Sequence, residues 1–333
     1  MSDPDVQLLE RLAEARSALL GRVGQRIVGQ GEVLDGILTA VLAGGHALLV
    51  GVPGLAKTLM VSSVAEALAL RFSRIQFTPD LMPSDITGTE IIEEDPGTGR
   101  RGFRFVHGPI FANVVLADEV NRTPPKTQAA LLQAMQEHEV TVAGVTYPLA
   151  APFFVLATQN PIEHEGTYPL PEAQLDRFMF ELHVDYPSRA EEESIVERTT
   201  GDLAPSIEPV LSGDELISLQ QLVRRIPAPR IVVGHAVRLA RMTRPDDPTA
   251  PETIREFVAW GAGPRASQYL VLGAKARAAM DGRPMADLED VDAVTLAVLR
   301  HRIVVNFNAE AAGRRAEQLV ADVVSAARSR PAG

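Results

Sequence analysis

The sequence predicts an α/β domain followed by an all-α domain. Three short apolar segments have the composition of buried parallel strands and are separated by helical patterns: 46–50, 114–118 and 153–158. From residue 188 onward the pattern is almost purely helical. Strands joined by helices indicate a parallel sheet, and a later run of helices indicates a second unit. We therefore predict an α/β domain at 1–187, ending near Tyr186-Pro187, and a helical domain at 188–333.

Length and composition narrow the class of protein. The chain has 333 residues, 46% of them hydrophobic and 23% charged, which suits two domains that each bury a core. Its net charge of -11 disfavours a sequence-independent grip on nucleic acid, although a local basic patch stays open. The absence of cysteine excludes disulfides and cysteine-ligated zinc. Since no apolar run has the length of a membrane span and the acidic start lacks a signal-peptide pattern, we expect a cytoplasmic protein without membrane insertion.

A glycine-rich segment between a strand and a helix organises the chain. Residues 51–58 have the sequence Gly-Val-Pro-Gly-Leu-Ala-Lys-Thr, and an Ala- and Leu-rich helical pattern follows at 59–70. Glycines let backbone N–H groups surround an anion, and the start of the helix adds unpaired N–H groups and partial positive charge. The segment therefore predicts a phosphate-binding loop rather than an ordinary strand-to-helix turn.

Each position of this loop has an expected role. Lys57 is expected to reach the β- and γ-phosphates, and the Thr58 hydroxyl is expected to bind Mg²⁺. Ala56 stands where the last glycine of the pattern usually lies, and its methyl group is harmless if the backbone there is already helical. The residues expected to contact the nucleotide are Gly51, Pro53, Gly54, Leu55, Ala56, Lys57, Thr58 and Leu59.

The remaining elements follow from periodicity and turn residues. We predict helices at 4–22 and around 33–41, a strand at 72–77, a helix at 124–137, a short helix at 170–178 and a strand at 179–184. Two hairpins are predicted at 88–108, around the turn at 95–99, and at 139–148, around Ala143-Gly144. In the second domain we predict helices at 189–200, 213–226, 232–243, 252–259, 265–281, 288–301 and 310–328.

Polar residues at the ends of two apolar strands predict catalytic chemistry. Asp118 and Glu119 end the second strand, where carboxylates without partners would be costly unless they serve a site. Asp118 is expected to hold Mg²⁺ and Glu119 to polarise the attacking water; the alternative is a solvated strand end. Asn160, after the third strand, is expected to orient that water or to cap its own loop.

Taken together, these segments resemble the AAA+ ATPases, and specifically the MoxR family, over nearly the whole chain. Residues 51–58 match the family's Walker A segment, including its alanine, and 118–128 match its Walker B strand and the following helix. Residues 157–161 resemble sensor 1, 170–178 the segment with the arginine finger, and 260–266 sensor 2. The two predicted hairpins occupy the places of the helix-2 insert and the pre-sensor-1 hairpin of related clades.

The resemblance implies an AAA+ P-loop NTPase core with a five-stranded parallel sheet, a helical lid, and a ring, usually hexameric, with ATP and Mg²⁺ between subunits. It implies that Val28, Gly29 and Gln30 line the adenine pocket and that Arg177 is the finger. Arg265 begins a helix, where its charge opposes the helix dipole, so an anionic partner is expected; we expect the γ-phosphate of its own chain's nucleotide. For Arg122, a neighbouring subunit and its own strand stay open.

Three functions are compatible with these residues. The first is an ATP-hydrolysing, chaperone-like remodeller of proteins, which in this family often has a partner with a von Willebrand factor A domain. The second is a slow nucleotide-gated switch, and the third is a DNA-translocating motor. Retention of the hydrolytic residues favours the first over the second. The acidic balance, and a hairpin turn at Ala143-Gly144 without Lys or Arg, disfavour the motor and any nucleic-acid partner.

Overall fold

The computed structural model describes residues 3–94, 101–163, 166–201 and 206–329; the predicted turn at 95–99 lies outside the described residues. The helices of these ranges are α1 (Asp3–Val23), α2 (Gly31–Ala43), α3 (Lys57–Ala67), α4 (Pro83–Thr87), α5 (Pro125–Glu137), α6 (Glu172–Leu175), α7 (Arg189–Thr199), α8 (Gly213–Arg225), α9 (Arg230–Met242), α10 (Glu252–Phe257), α11 (Pro264–Met280), α12 (Leu288–Leu299), α13 (Phe307–Ala311) and α14 (Ala316–Ser329).

The strands are β1 (Ala47–Val50), β2 (Phe72–Gln76), β3 (Gly88–Glu94), β4 (Arg101–His107), β5 (Val114–Asp118), β6 (Glu139–Val142), β7 (Val145–Pro148), β8 (Phe154–Gln159), β9 (Phe180–His183), β10 (Val258–Trp260) and β11 (Val304–Val305). Five of them form one parallel sheet in the order β2-β5-β8-β1-β9. This confirms the predicted parallel sheet of five strands. The described residues contain no helix with both the length and the apolar character needed to cross a membrane.

Alternation along the strands assigns each apolar side chain to one face of the sheet. We call the part of the chain from α7 to α14 the helical region. On β1, Leu49 belongs to the core shared with α1, α2 and the helical region, while Leu48 belongs to the core next to α4 and α5. On β8, Leu156 and Val155 divide in the same way. Because both faces are covered, β1 and the first four residues of β8 are apolar at every position, which is why the sequence shows continuous apolar segments.

The helical region packs on the first two helices rather than standing apart. Leu12 of α1 and Leu38 of α2 share one continuous core with Leu216 of α8 and Met280 of α11. On the other side of α2, a Cβ atom at Gly36 would lie 2.6 Å from Leu182 Cδ2, so this helix also lies against β9. The domain boundary at residue 187 stays a prediction, since this core crosses it.

The second half of the chain is less purely helical than predicted. Val258 and Trp260 pair antiparallel with Val304 and Val305 in a small sheet of β10 and β11. The predicted helix at 310–328 is two helices, α13 and α14, and the short α4 was not predicted. A strand of two or three residues carries no periodicity, so its formation depends on a distant partner that the local sequence does not reveal.

Both predicted hairpins are present, and aromatic side chains join them. β3 pairs antiparallel with β4, and β6 pairs with β7 through a turn in which Ala143 and Gly144 both have positive φ, at 50° and 83°. The backbone twist of such a two-residue turn matches the right-handed twist of the two strands that it joins. The rings of Phe105 and Tyr147 stack at a centroid distance of 4.1 Å. The two hairpins are therefore in direct contact with each other.

The buried side chain of His46, which precedes β1, contacts both β8 and α5. His46 Nδ1 accepts a hydrogen bond from the backbone N–H of Val155 at 2.9 Å, and its Nε2 lies 3.0 Å from the carbonyl oxygen of Met135. This geometry defines a neutral ring with the proton on Nε2. Burial lowers the pKa of His46 from 6.5 to about 4.

The first prediction concerns the pH dependence of stability. Between pH 6.5 and about 4 the unfolded chain protonates His46 and the folded chain does not, so stability falls as pH falls. His46→Gln should reduce this slope by up to one proton, about 1.4 kcal/mol per pH unit. Urea unfolding of both proteins across this range measures the slopes. Equal slopes would show that His46 is not a buried neutral group.

Candidate functional site

The predicted site residues meet at the carboxyl end of the parallel sheet. Gly51 follows β1, Asp118 ends β5, and Asn160 follows β8. These three strands are neighbours in the sheet, with Leu116 opposite Leu156 and Val50 opposite Gln159. Parallel strands bring such ends to one edge, where open α/β sheets hold their ligands.

The glycine-rich loop turns through two residues of positive φ. Gly54 has φ of 86°, and Ala56 has φ of 56° and ψ of 22°. The premise that the backbone at Ala56 is already helical is therefore wrong, because this residue is left-handed. An L-residue in this region costs roughly 1–2 kcal/mol, which explains why glycine is usual here. The left-handed turn directs successive N–H groups of the loop towards one side.

Gly51 has a steric reason to lack a side chain. A Cβ atom there would lie 2.6 Å from the carbonyl oxygen of Val184, just after β9. Gly51 N–H donates to the carbonyl oxygen of Gln159 at 3.2 Å. Gly51 therefore lies between the last residue of β8 and the first residue after β9.

Lys57 lies at the start of α3 and faces the strand-end carboxylates. Its Nζ donates to the carbonyl oxygens of Gly51 at 2.5 Å and Val52 at 2.8 Å. Burial lowers the pKa of Lys57, and the charges of Asp118 and Glu119 act against that shift. The structure therefore brings the predicted cation and the two predicted carboxylates into one electrostatic unit.

The start of α3 shows that the glycine-rich loop can bind a phosphate group. The residue before α3, Ala56, makes no side-chain cap, so no side chain satisfies the first N–H groups of this 11-residue helix. Free N–H groups and the helix dipole suit an anion. Thr58 is the second residue of α3, Leu55 packs on the core, and Pro53, Gly54 and Leu59 are exposed.

Asp118 is buried and held from two sides. Thr158 Oγ1 donates to its Oδ1 at 2.6 Å, and Arg74 donates to its Oδ2 through Nη2 at 2.6 Å and Nε at 3.0 Å. The same Thr158 oxygen accepts from the backbone N–H of Glu119 at 2.8 Å. Donors from two side chains therefore fix the orientation of this carboxylate.

Glu119 occupies a left-handed conformation, with φ of 57° and ψ of 49°. Its Oε2 accepts from Gln76 Nε2 at 2.9 Å and lies 3.1 Å from Arg122 Nε. Non-glycine residues with positive φ persist where the surroundings enforce them, often at functional sites. The local backbone therefore points the Glu119 side chain away from the path of β5.

Arg74 and Gln76 are site residues that the sequence analysis missed. They are two residues apart on β2 and therefore lie on the same face of it. The register of β2 places Gln76 opposite Asp118 on the neighbouring strand. Arg74 Nη2 also donates to Gln76 Oε1 at 2.6 Å. Polar residues two apart near the end of a strand were a visible signal. Their importance depended on knowing that β2 lies next to β5.

Asn160 is buried and only partly bonded. Its Oδ1 accepts from the backbone N–H of Ile162 at 3.2 Å, which is the loop-capping contact of the alternative interpretation. Its Nδ2 makes no hydrogen bond of regular geometry within the described residues, although Arg122 and, less strongly, the Asn160 amide lower the pKa of the nearby Glu163. A buried amide with an unused donor remains able to bind a water or a phosphate oxygen, so both interpretations of Asn160 are compatible with the structure.

Arg122 contacts its own chain. It forms a two-pronged ion pair with Glu163, with Nη2 to Oε1 at 2.6 Å and Nε to Oε2 at 2.9 Å, besides its contact with Glu119. This pairing raises the pKa of Arg122. Within its own chain Arg122 is thus paired with two carboxylates, and its contact with a neighbouring subunit stays an open alternative.

Arg177 and Arg265 are held by groups outside the glycine-rich loop. Arg177 Nη1 donates to the carbonyl oxygen of Leu132 on α5 at 2.6 Å. Arg265 Nη1 donates to Asp176 Oδ2 at 2.8 Å. Asp176 thus binds Arg265 directly beside the predicted finger, and the contact of Arg265 with the γ-phosphate of its own chain's nucleotide stays a prediction.

The predicted adenine-pocket residues lie at a second region of the site. Gly29 and Gln30 both have positive φ, at 69° and 58°, and Gln30 Nε2 donates to the carbonyl oxygen of Asp185 at 2.7 Å. Gln30 lines a cleft of about 670 Å³ between α2, β9 and α12, while Val28 is half-buried. The lining contains no residue of the segment 51–59, which the structure describes in full.

Comparison with known protein families matches both halves of the chain. Residues 46–180 match the ATPase family associated with various cellular activities (AAA), and residues 251–323 match the AAA lid domain. The first match contains the glycine-rich loop, the strand-end carboxylates and Arg177, and the second contains Arg265.

Individual relatives cover most of the chain. It is 45% identical to Chaperone MoxR1 of Mycobacterium tuberculosis over 85% of this chain and 74% of that protein. It is 42% identical to YeaC of Bacillus subtilis over 92% of this chain and 94% of that one, and 29% identical to Protein MoxR of Methylorubrum extorquens over 97% and 96%. A solved Cytophaga hutchinsonii protein of suggested ATPase function superposes with a TM-score of 0.87 at 39% identity, covering 95% of this chain and 96% of that one.

The second prediction concerns the left-handed residue of the loop. Ala56→Gly should stabilise the fold by up to about 1 kcal/mol, since it relieves the strain of positive φ but adds about 0.5–1 kcal/mol of chain entropy to the cost of folding. Ala293→Gly, at an exposed position inside α12, is the matched control and should destabilise by about 0.5–1 kcal/mol. Urea unfolding measures both. A loss of stability from Ala56→Gly as large as the control's would contradict the strained loop.

Proposed function

The chain belongs to the MoxR family of AAA+ ATPases, and from this membership we propose that it hydrolyses ATP to remodel partner proteins. The observation that carries the proposal is the electrostatic unit of Lys57 with Asp118 and Glu119 beside the uncapped start of α3. The loop N–H groups and Lys57 would hold the β- and γ-phosphates. The cleft at Gln30 is the proposed place of the base, next to Gly29 and Val28.

Thr58 and Asp118 are the residues that would hold Mg²⁺, because a hydroxyl and an ionised carboxylate are oxygen ligands that suit this ion. When bound, Mg²⁺ supplies charge neutralisation on the phosphate oxygens. Thr158 and Arg74 donate hydrogen bonds to the Asp118 carboxylate. Of these, Arg74 must share the carboxylate with the ion or release it.

Glu119 is the proposed general base, and Asn160 is proposed to orient the attacking water. The unused Nδ2 donor of Asn160 supports this role. Glu119 accepts the proton of the water as the water attacks the γ-phosphorus. To do so, its carboxylate must turn from Gln76 and Arg122 towards the γ-phosphate.

We propose that the active site is completed by a neighbouring subunit of a homo-oligomer, most consistent with the hexameric ring of the family. Within the described residues, Arg177 hydrogen-bonds to Leu132 and Arg265 to Asp176, and neither side chain hydrogen-bonds to the glycine-rich loop of its own chain. Arg265 is still proposed to leave Asp176 and reach the γ-phosphate of its own chain's nucleotide. Arg177 would act on the nucleotide of the adjacent subunit. An arginine supplied in this way neutralises charge that develops in the transition state.

The proposed target of the cycle is another protein. The support is the relative named as a chaperone, which is 45% identical over most of this chain, together with family membership. A partner with a von Willebrand factor A domain is proposed from the family alone. The paired hairpins, joined by Phe105 and Tyr147, project from the core and are the proposed contact surface.

A slow nucleotide-gated switch is the second candidate function. The specific observation in its favour is that Glu119 is already engaged by Gln76 and Arg122, which holds the base away from water. A switch would bind ATP tightly and turn it over too slowly to drive repeated remodelling.

The third prediction separates these functions. Glu119→Gln should bind Mg·ATP as tightly as the parent but lose at least about 10²-fold in steady-state turnover, since an amide cannot accept the proton. Phosphate release and calorimetry measure the two quantities. Lys57→Ala serves as the binding-deficient control. A parent that binds ATP yet turns over no faster than Glu119→Gln would favour the switch and contradict hydrolysis.

The fourth prediction concerns the shared site. Arg177→Ala should keep ATP affinity and lose about 10³–10⁵-fold in turnover, as for arginine fingers in general. Lys57→Ala should lose binding but still offer Arg177 to a neighbour. Turnover should therefore reappear when the two inactive variants are mixed, and it should depend on total protein concentration.

Analytical ultracentrifugation of the mixture provides the control for assembly. Full activity from a strictly monomeric parent would overturn the shared site. An absence of ATP turnover in demonstrably mixed assemblies would also count against the shared site.

A further inference from the structure

Side chains from the helical region bind the backbone on both sides of Arg177. Arg302 Nη2 donates to the carbonyl oxygens of Asp176 at 2.8 Å and Phe178 at 2.7 Å, and its Nη1 lies 3.4 Å from that of Met179. The carbonyl oxygen of Arg177 itself accepts from Tyr269 Oη at 3.3 Å. Arg302 and Tyr269 thus contact four successive carbonyl groups from outside the finger segment, and His301 Nε2 also lies 3.1 Å from the carbonyl oxygen of Phe178.

The side chain of Asp176 is held by the same region. Its Oδ1 accepts from Arg302 Nε at 2.8 Å, and its Oδ2 accepts from Arg265 Nη1 at 2.8 Å. The two arginines differ in exposure: the Arg302 side chain is 2% exposed, and that of Arg265 is 40% exposed. Arg265 can therefore leave Asp176 for another anion, while Arg302 remains bound to it.

Arg302 is an expensive residue to bury. Its guanidinium also donates to the carbonyl oxygen of Val298 at 2.5 Å and stacks over the Tyr269 ring, with Cζ 5.2 Å from the centroid. A buried charge is tolerated only when its donors are satisfied in a definite geometry. A fork of five donors suits this task, and a lysine in its place would satisfy fewer of the acceptors.

We propose that Arg302 is a positioning residue for the finger: with Tyr269, it sets the backbone from which Arg177 projects towards the nucleotide of a neighbouring subunit. The inference rests on the proposed function. It adds that the helical region acts on the donated half of the shared site through Arg302. A defect at Arg302 then belongs to the finger-donating subunit and leaves that subunit's own nucleotide pocket intact.

The fifth prediction tests in which half-site Arg302 acts. Arg302→Met should bind ATP within about threefold of the parent and lose at least about tenfold in turnover, towards the 10³–10⁵-fold of a missing finger. Mixing it with Lys57→Ala should restore turnover, because Lys57→Ala subunits donate an intact finger. Mixing it with Arg177→Ala should restore nothing, because neither subunit then donates a working finger.

Two further variants keep the test decisive. Tyr269→Phe removes only the hydroxyl that binds Arg177 and should show a smaller loss with the same pattern of restoration. Arg283→Met is the matched control, since Arg283 pairs with Asp281, Asp287 and the buried Asp290 inside the helical region and should leave turnover near the parent level. If Arg302→Met fails to fold, Tyr269→Phe alone decides.

The outcomes separate the two levels of the proposal. Restoration of Arg302→Met by Arg177→Ala would place the defect in the nucleotide pocket and overturn the inference. Equal loss in the Arg283→Met control would also overturn it, because the effect would then be general loosening of the helical region. If mixing Arg177→Ala with Lys57→Ala itself yields no turnover, the shared site of the proposed function fails first.

Discussion

The parallel pairing of β1 with β8 and β9 is the constraint on which the site depends. It brings Gly51 so close to the carbonyl oxygen of Val184 that no Cβ atom fits between them. The pairing of β8 with β5 on its other side places the end of β8, with Thr158, beside the end of β5, with Asp118. Because the strand ends are fixed by backbone hydrogen bonds, the phosphate loop and the carboxylates keep their relation without any ligand.

Charge at this edge is balanced within the chain. Asp118 is paired with Arg74, and Glu119 lies at Gln76 and Arg122, while Lys57 is directed to carbonyl oxygens of its own loop. Each charged group therefore has a partner that an incoming nucleotide must displace or share. Ligand binding would then replace one partner of each charged group by another. No charged group has to be buried without a partner before the ligand binds, which is the costly situation.

The helical region contributes to the site from a distance. It shares the core around α1 and α2, and it binds Asp176 and the backbone around Arg177 through Arg265, Tyr269 and Arg302. These contacts make the finger segment an extension of the helical region as much as of the sheet. A change in the placement of the helices would therefore move Arg177, and the physical link is a set of hydrogen bonds to backbone carbonyls.

The sequence by itself determined the parallel sheet and predicted the phosphate loop with Lys57, Asp118 and Glu119, because the signals for all of them are local: apolar runs, glycine spacing and polar strand ends. Only the tertiary structure decided that Ala56 is left-handed, since φ depends on how the loop closes. Strand order likewise brought Arg74 to Asp118, and helix packing brought Arg302 to Asp176. These pairs are 44 and 126 residues apart in the chain, and no local pattern encodes which distant charges become neighbours.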